Sequence, residues 1–220
     1  MSGPGSDVRG RRRPRSWGSH LVRRPDPLPW ASDELVPAAA GAASPLLCHN
    51  PLVDDLRVGV SGHRRLADPA AVAVAVDRVL DRLHEGRDRG PDVVAVSSLA
   101  EGADRIVATR VLARGGRLEA VLPLPAEDYA TDFADAGSRA EFAALLAVAD
   151  PTTVVPADPA DPSREAAYAR AGTAVLEACD VLLALWDGAP ARGRGGTAEV
   201  VAEARSTGRR VEVVTVERAP

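Results

Sequence analysis

The sequence predicts a doubly wound α/β fold, an open, mainly parallel sheet of six strands with helices on both faces. Three observations predict it. From Leu56 to Val216, apolar runs of strand length alternate with segments of helical period. Helix-start chemistry recurs between the strand runs. The run Asp180–Trp186 is almost wholly apolar, the pattern of a strand covered on both faces. Strands alternating with helices pair in parallel through helical crossovers, and the helices cover the sheet.

Leu56–Val60 is the first strand. Asp68-Pro69 then starts a helix, with Asp as N-cap and Pro at the first helical position, and Val72, Val76, Val79 and Leu83 follow at helical spacing. Asp92–Ser97 is the second strand. Ser98 and Glu101 read as a capping box that opens a helix with Ile106, Val107 and Val111 inward, ending at Gly115. Leu118–Leu122 is the third strand, and an extended connection carrying Tyr129 and Phe133 follows it. Ser138 and Glu141 form a second capping box ahead of Phe142, Leu145 and Leu146. Thr152–Val155 is the fourth strand, and a proline-punctuated loop leads to Ser163, the cap of a helix carrying Tyr168, Gly172, Val175 and Cys179. Asp180–Trp186 is the fifth strand, Thr197 caps a last helix that ends at Gly208, and Arg210–Val216 is the sixth strand.

The chain has 220 residues, of which 45% are hydrophobic and 26% charged, as in a globular protein with one substantial core. No apolar run approaches the ~20 residues of a membrane span, so no membrane association is expected. Residues 1–55 are rich in Arg, Pro, Gly and Ser, show no apolar period and predict a disordered arm, leaving 56–217 as the folded domain. That arm lacks the apolar stretch of a signal peptide, and Cys48 and Cys179 lie far apart in sequence, so the expected compartment is the cytoplasm. Residues 1–50 hold seven arginines and four acids, which leaves the remainder with 20 arginines against 27 acids. An acidic domain disfavours binding to a nucleic-acid backbone except through the basic arm. His20, His49, His63, His84 and the two cysteines show no metal-ligand spacing, so no metal is expected.

In a doubly wound sheet, ligands bind beyond the carboxyl ends of the strands, where the strand order reverses. The loops at those ends are therefore the informative ones. Gly59-Val60-Ser61-Gly62-His63-Arg64 follows the first strand, and its glycines, hydroxyl and arginine suit a phosphate. The chain has no lysine, so it has no Walker motif, and it lacks the G-x-G-x-x-G fingerprint. After the second strand, Ser98, Glu101 and Gly102 are candidate ligand residues: Ser98 and Glu101 are also explained as caps, whereas Gly102 in a first helical turn suggests close approach of a ligand. After the fifth strand, Asp187 is placed to accept ribose hydroxyls or to make a turn with Gly188. Gly195-Gly196-Thr197 then forms an anion cradle at a helix start or a plain N-cap.

Val58-Gly59-Val60-Ser61-Gly62-His63-Arg64, followed by Ser97-Ser98-Leu99-Ala100-Glu101-Gly102-Ala103-Asp104, resembles the paired motifs of DNA-processing protein A. Gly195-Gly196-Thr197 resembles the Gly-Gly-x-Gly-Thr element of the LOG proteins. Together with Leu185-Trp186-Asp187-Gly188, the stretch from Leu56 to Val216 is similar to bacterial SLOG domains, stand-alone or fused to effectors. The resemblance implies a Rossmann-like fold that binds a nucleotide or nucleotide derivative, in some members an ADP-ribose-like signal. It places phosphate or base at Gly62, His63 and Arg64, lines a second loop with Ser98, Gly102 and Asp104, and puts phosphate at Gly195, Gly196 and Thr197. It also implies homo-oligomers and, in signalling systems, an effector protein partner. No cofactor is implied.

These readings support three functions. The first is binding or sensing of a nucleotide-derived ligand. The second is a LOG-like nucleoside-monophosphate N-glycosidase, with Glu199 as its catalytic group; Glu199 follows Thr197 by two residues where LOG enzymes place it three on. The third is a DNA-binding role like that of DNA-processing protein A, which the acidic domain disfavours.

Overall fold

The computed structural model describes residues 55–85, 93–191 and 194–219. The expected arm, 1–55, lies outside the described residues apart from Asp55. The elements in chain order are β1 (Leu56–Gly62), α1 (Pro69–His84), β2 (Val93–Ser97), α2 (Ala103–Ala113), β3 (Arg117–Leu122), α3 (Ala126–Ala130), α4 (Ala136–Val148), β4 (Thr152–Val154), α5 (Arg164–Glu177), β5 (Val181–Trp186), α6 (Thr197–Ser206) and β6 (Arg210–Thr215). The six strands form one sheet in the order β4-β3-β2-β1-β5-β6, and every pairing is parallel. The strand order therefore reverses between β1 and β5, and the crevice beyond their carboxyl ends is the position where such sheets bind ligands.

Both faces of the sheet are covered. Helices α1, α2 and α4 pack on one side, where Val58, Val60, Val93, Ala95, Leu183 and Leu185 point into the larger core. Helices α5 and α6 pack on the other, over Leu182, Ala184, Val96 and Val121. Alternate residues of β5 thus feed opposite cores, which is why its sequence is apolar throughout. Gly59 is a packing glycine. A Cβ there would lie 2.6 Å from Cys179 Sγ and 3.1 Å from Val175 Cγ1, so α5 and its C-terminal turn can rest directly on β1.

Two of the expected caps are observed. The Asp68 carboxylate accepts from the Ala71 N–H at 2.9 Å, with Pro69 as first helical residue, and Ser163 Oγ accepts from the Ala166 N–H at 3.2 Å. The others are corrected. The helix after β2 begins at Ala103, not at Ser98, with Gly102 as its N-cap in the left-handed region at φ 76°. α4 is capped by Asp135, which accepts from the Ser138 N–H at 2.8 Å. α6 is capped by Gly196, which makes Thr197 its first helical residue. In both apparent capping boxes the side chains are engaged elsewhere: Ser138 Oγ donates to Glu101, and Glu141 pairs with Arg105 at 2.9 Å. Interactions between α2 and α4 have replaced the local ones. The connection after β3 is not extended but forms α3, and Tyr129 and Phe133 join Phe142 in the main core, with Tyr129 meeting Phe133 and Phe142 edge-on at 5.0 and 5.6 Å.

The fold makes a prediction at Gly59. Gly59→Ala should cost about 1–3 kcal/mol by overpacking against Cys179 and Val175. A lower urea midpoint at an unchanged m-value is the expected readout.

Candidate functional site

A cleft of about 340 Å³ lies at the reversal point, beyond the ends of β1 and β5. One wall is the end of β1 and the turn after it, Ser61, Gly62, His63 and Arg64. Ser98 and Asp104 come from the β2–α2 connection and the first turn of α2, and Gly195, Gly196 and Thr197 from the start of α6. The structure therefore brings nine of the expected ligand residues around one cleft.

The position of α2 depends on a backbone contact. The Ala103 N–H donates to the His63 carbonyl at 3.1 Å. A Cβ on Gly102 would stand 2.4 Å from the Arg64 carbonyl oxygen, and one on Gly62 would stand 2.4 Å from the Ala103 Cβ. Gly102 is thus required by backbone meeting backbone, not by close approach of a ligand, and it does not line the cleft.

Asp104 sits in this first turn with only 5% of its surface exposed. Ser97 Oγ donates to its Oδ2 at 3.0 Å. Burial pushes the carboxyl up to about 6, against the opposing pull of the Ser97 hydroxyl, the Ala100 and Ser98 amides and the Arg64 charge. Asp104 is the one acidic residue lining the cleft among the described residues. Burial also raises the Tyr129 phenol, which lines the same space and so stays a protonated donor.

Arginines Arg64, Arg194 and Arg218 line the cleft. Arg194 pairs with Asp161, and Arg218 Nε lies 2.6 Å from Asp187 Oδ2. Arg64 forms no ion pair among the described residues, and its guanidinium lies over the Tyr168 ring, 5.4 Å from the centroid. Opposite it, Gly196 makes no side-chain cap on α6, so the helix presents its first N–H groups without a capping acceptor. Thr197 is 8% exposed and lines the cleft, and its hydroxyl has no hydrogen-bond partner among the described residues. Together these groups can hold an anion by a cation, a hydroxyl and backbone donors at the positive end of a helix.

The remaining expected residues lie outside the lining, and each has another role. Gly59 packs against Cys179. Glu101 accepts from Ser138 Oγ and, at 3.2 Å, from the Ala134 N–H. Asp187 accepts from the Ala189 N–H at 3.0 Å and lies 3.0 Å from His63 Nε2. Desolvation would raise its carboxyl, but the Ala189 amide, Arg218 and His63 hold it well below the usual carboxylate range. It is spent as a turn and ion-pair group, and Gly188 makes the turn at φ 79°. Glu199 accepts from the Gly195 N–H at 2.7 Å, tying the glycine loop to the first turn of α6. Its geometry is that of a backbone cap, not of a group facing a substrate.

Several cleft residues escaped the sequence. Tyr168 comes from the middle of α5, and its hydroxyl donates to Asp132. Arg218 arrives from the segment after β6, which runs back along the turn after β1 through an antiparallel Leu66–Arg218 bridge and an Ala67 N–H to Glu217 carbonyl bond of 2.9 Å. Neither position carries a local signal, although the basic Arg218 just past the last strand was visible as a charge at a sheet end. Among the described residues no group of three or more His, Cys, Asp or Glu could hold a metal ion, and no helix is long and apolar enough to cross a membrane.

No protein-family model matches the chain, and no curated protein matches it. Solved structures similar to it include two X-ray structures. One is the X-ray structure of DNA processing protein A (DprA) from Streptococcus pneumoniae, with 20% identity and a TM-score of 0.48 over 72% of this chain and 50% of that chain. The other is the X-ray structure of TM1055, a structural-genomics target, with 15% identity and a TM-score of 0.44 over 71% of this chain and 72% of that chain. The chain spans half the length of the DprA chain. These are likenesses of fold, and they bring no ligand, activity or partner to this chain.

The raised Asp104 carboxyl has a consequence for stability. The folded state holds this proton more tightly than the unfolded chain, so between about pH 4 and pH 6 it binds more protons than the unfolded chain. Its contribution to stability therefore falls as pH rises through that window and is constant above it. Asp104→Asn removes this dependence. The stability of the variant relative to the parent should rise from pH 4 to pH 6 by on the order of 2 kcal/mol, then level off above about pH 7. Urea titrations at pH 4, 5, 6 and 7.5 measure it.

Proposed function

We propose that this protein binds a nucleotide-derived ligand, a nucleoside phosphate or an ADP-ribose-like molecule, at the β1–β5 crevice. The observation that carries the reading is that one cleft is lined both by Arg64, which forms no ion pair among the described residues, and by Thr197 at the start of α6, where no side chain caps the helix. Phosphate fits that corner, because it accepts from several donors at once and offsets the charge of both a guanidinium and a helix end. The sugar and base would then extend along the remaining lining, past Ser98, Asp104 and the tyrosines. The SLOG-like motifs of the sequence agree with a ligand of this class. We further propose that the protein acts in the cytoplasm as a binding or sensing module, with an effector or a second copy as partner.

The hydrolase alternative draws less support. Its carboxylate, Glu199, is bonded to the Gly195 amide and stands outside the cleft lining. Incubation with AMP should therefore release no free adenine, and adenine release that Glu199→Gln abolishes would establish the enzyme instead.

The test is a thermal shift of the full chain with AMP, ADP, NAD, ADP-ribose and cyclic ADP-ribose. Ligand at one hundred times its Kd should stabilise by about 2.7 kcal/mol and raise Tm measurably. Arg64→Ala should weaken binding roughly 10- to 100-fold, as expected for loss of a charged hydrogen bond, and the near-isosteric Thr197→Val by up to about tenfold. Unchanged melting with every nucleotide, from folded protein, would remove the reading.

A further inference from the structure

We propose that Asp104 receives a ribose hydroxyl, and that the cleft thereby selects ribonucleotides over their deoxyribose counterparts. This inference rests on the nucleotide reading above and names the group that reads the sugar. The sequence offers Asp187, Glu101 and Glu199 as well as Asp104 in the loops at the strand ends. The structure eliminates the first three. Asp187 is held by the Ala189 amide, Arg218 and His63, Glu101 by Ser138 and the Ala134 amide, and Glu199 by the Gly195 amide. None of them lines the cleft, and Asp104 does.

The surroundings of Asp104 specify what it would meet. Ionised, it is an acceptor only, so a ligand group touching it must donate. A hydroxyl and an amino group both donate, and position separates them. Arg64, the cation assigned to phosphate, lines the same cleft as Asp104, and its charge favours the ionised carboxyl. In a nucleotide the sugar stands between phosphate and base, so the donor nearest the phosphate-holding cation is a sugar hydroxyl. Ser98 shares this part of the lining and can accept or donate beside it. A second phosphate is disfavoured at the same place, because it would bring like charge to a buried carboxylate. Ser97 Oγ fixes one carboxylate oxygen at 3.0 Å, and α2 holds the backbone beneath it, so the acceptor is positioned before any ligand arrives.

A site built to accept a hydroxyl rejects an analogue that lacks it, since the buried carboxylate then loses one donor that water no longer replaces. The experiment is calorimetric titration of the full chain at pH 8 with AMP, 2′-deoxy-AMP and 3′-deoxy-AMP, repeated with GMP and 2′-deoxy-GMP. At least one deoxy analogue should bind roughly tenfold or more weakly than its parent. In Asp104→Ala that ratio should fall towards one. Equal affinity of the unaltered chain for AMP and both deoxy analogues overturns the inference while leaving nucleotide binding intact, as does a ratio that survives in Asp104→Ala. If the variant does not fold, the ratio in the unaltered chain decides. No binding of AMP or GMP overturns the nucleotide reading and the inference with it.

Discussion

The first amide of α2, on Ala103, donates to the carbonyl of His63 at the end of β1, and much of the site is arranged around that bond. A helix start and a strand end can meet this closely only where neither carries bulk, and Gly62 and Gly102 supply that absence. The contact satisfies one of the helix's orphan donors without a side-chain cap. It also fixes where the neighbouring side chains point. Asp104 falls on the inner side of the first turn and is buried in the cleft. Arg105, next along, is turned the other way, under Phe133, with its charge carried to Glu141. Glu101, just before the bend, reaches α4 through Ser138. One backbone bond thus separates residues that read the cleft from residues that fasten α2 to its neighbours.

The electrostatics of the cleft depend on which charges are already used. Arg194 and Arg218 enter paired, to Asp161 and Asp187, so they shape the wall at little net charge. Arg64 enters stacked on Tyr168 and without an ion pair among the described residues. The same lining includes Thr197 and the start of α6, which has no side-chain cap. Among the described residues Asp104 supplies the single negative side chain of the lining, and burial makes it release its proton closer to neutral pH than an ordinary aspartate. A polarised cleft of this kind orients a ligand with an anionic end and a hydrogen-bond-donating middle.

The rhythm of elements was legible in the sequence because it depends on local period. All six strands and five of the helices stand where the apolar spacing puts them, and Asp68 and Ser163 cap as their positions suggest. The short α3 was not legible, since Tyr129 and Phe133 are held by a three-ring cluster completed by Phe142 from α4. The apparent capping boxes at Ser98–Glu101 and Ser138–Glu141 failed for a related reason. Glu101 and Ser138 bond to each other and Glu141 pairs with Arg105, so longer-range bonds stand where the local ones were expected.

For the site, the sequence by itself determined which loops matter. Alternating strands and helices force a parallel sheet, a parallel sheet has one ligand-binding edge, and the loops at that edge carry Ser61–Arg64, Ser98–Asp104 and Gly195–Thr197. Only the tertiary structure decided which side chains in those loops are free to act. Asp187, Glu101 and Glu199 are as acidic as Asp104 in the sequence, yet each is bonded outside the cleft lining, while Asp104, bonded to Ser97, lies within it. Arg218 reaches the cleft because the chain after β6 folds back along the turn after β1. Period and turn chemistry are properties of neighbours along the chain. Availability of a charge depends on everything packed around it, and that is settled only when distant segments meet.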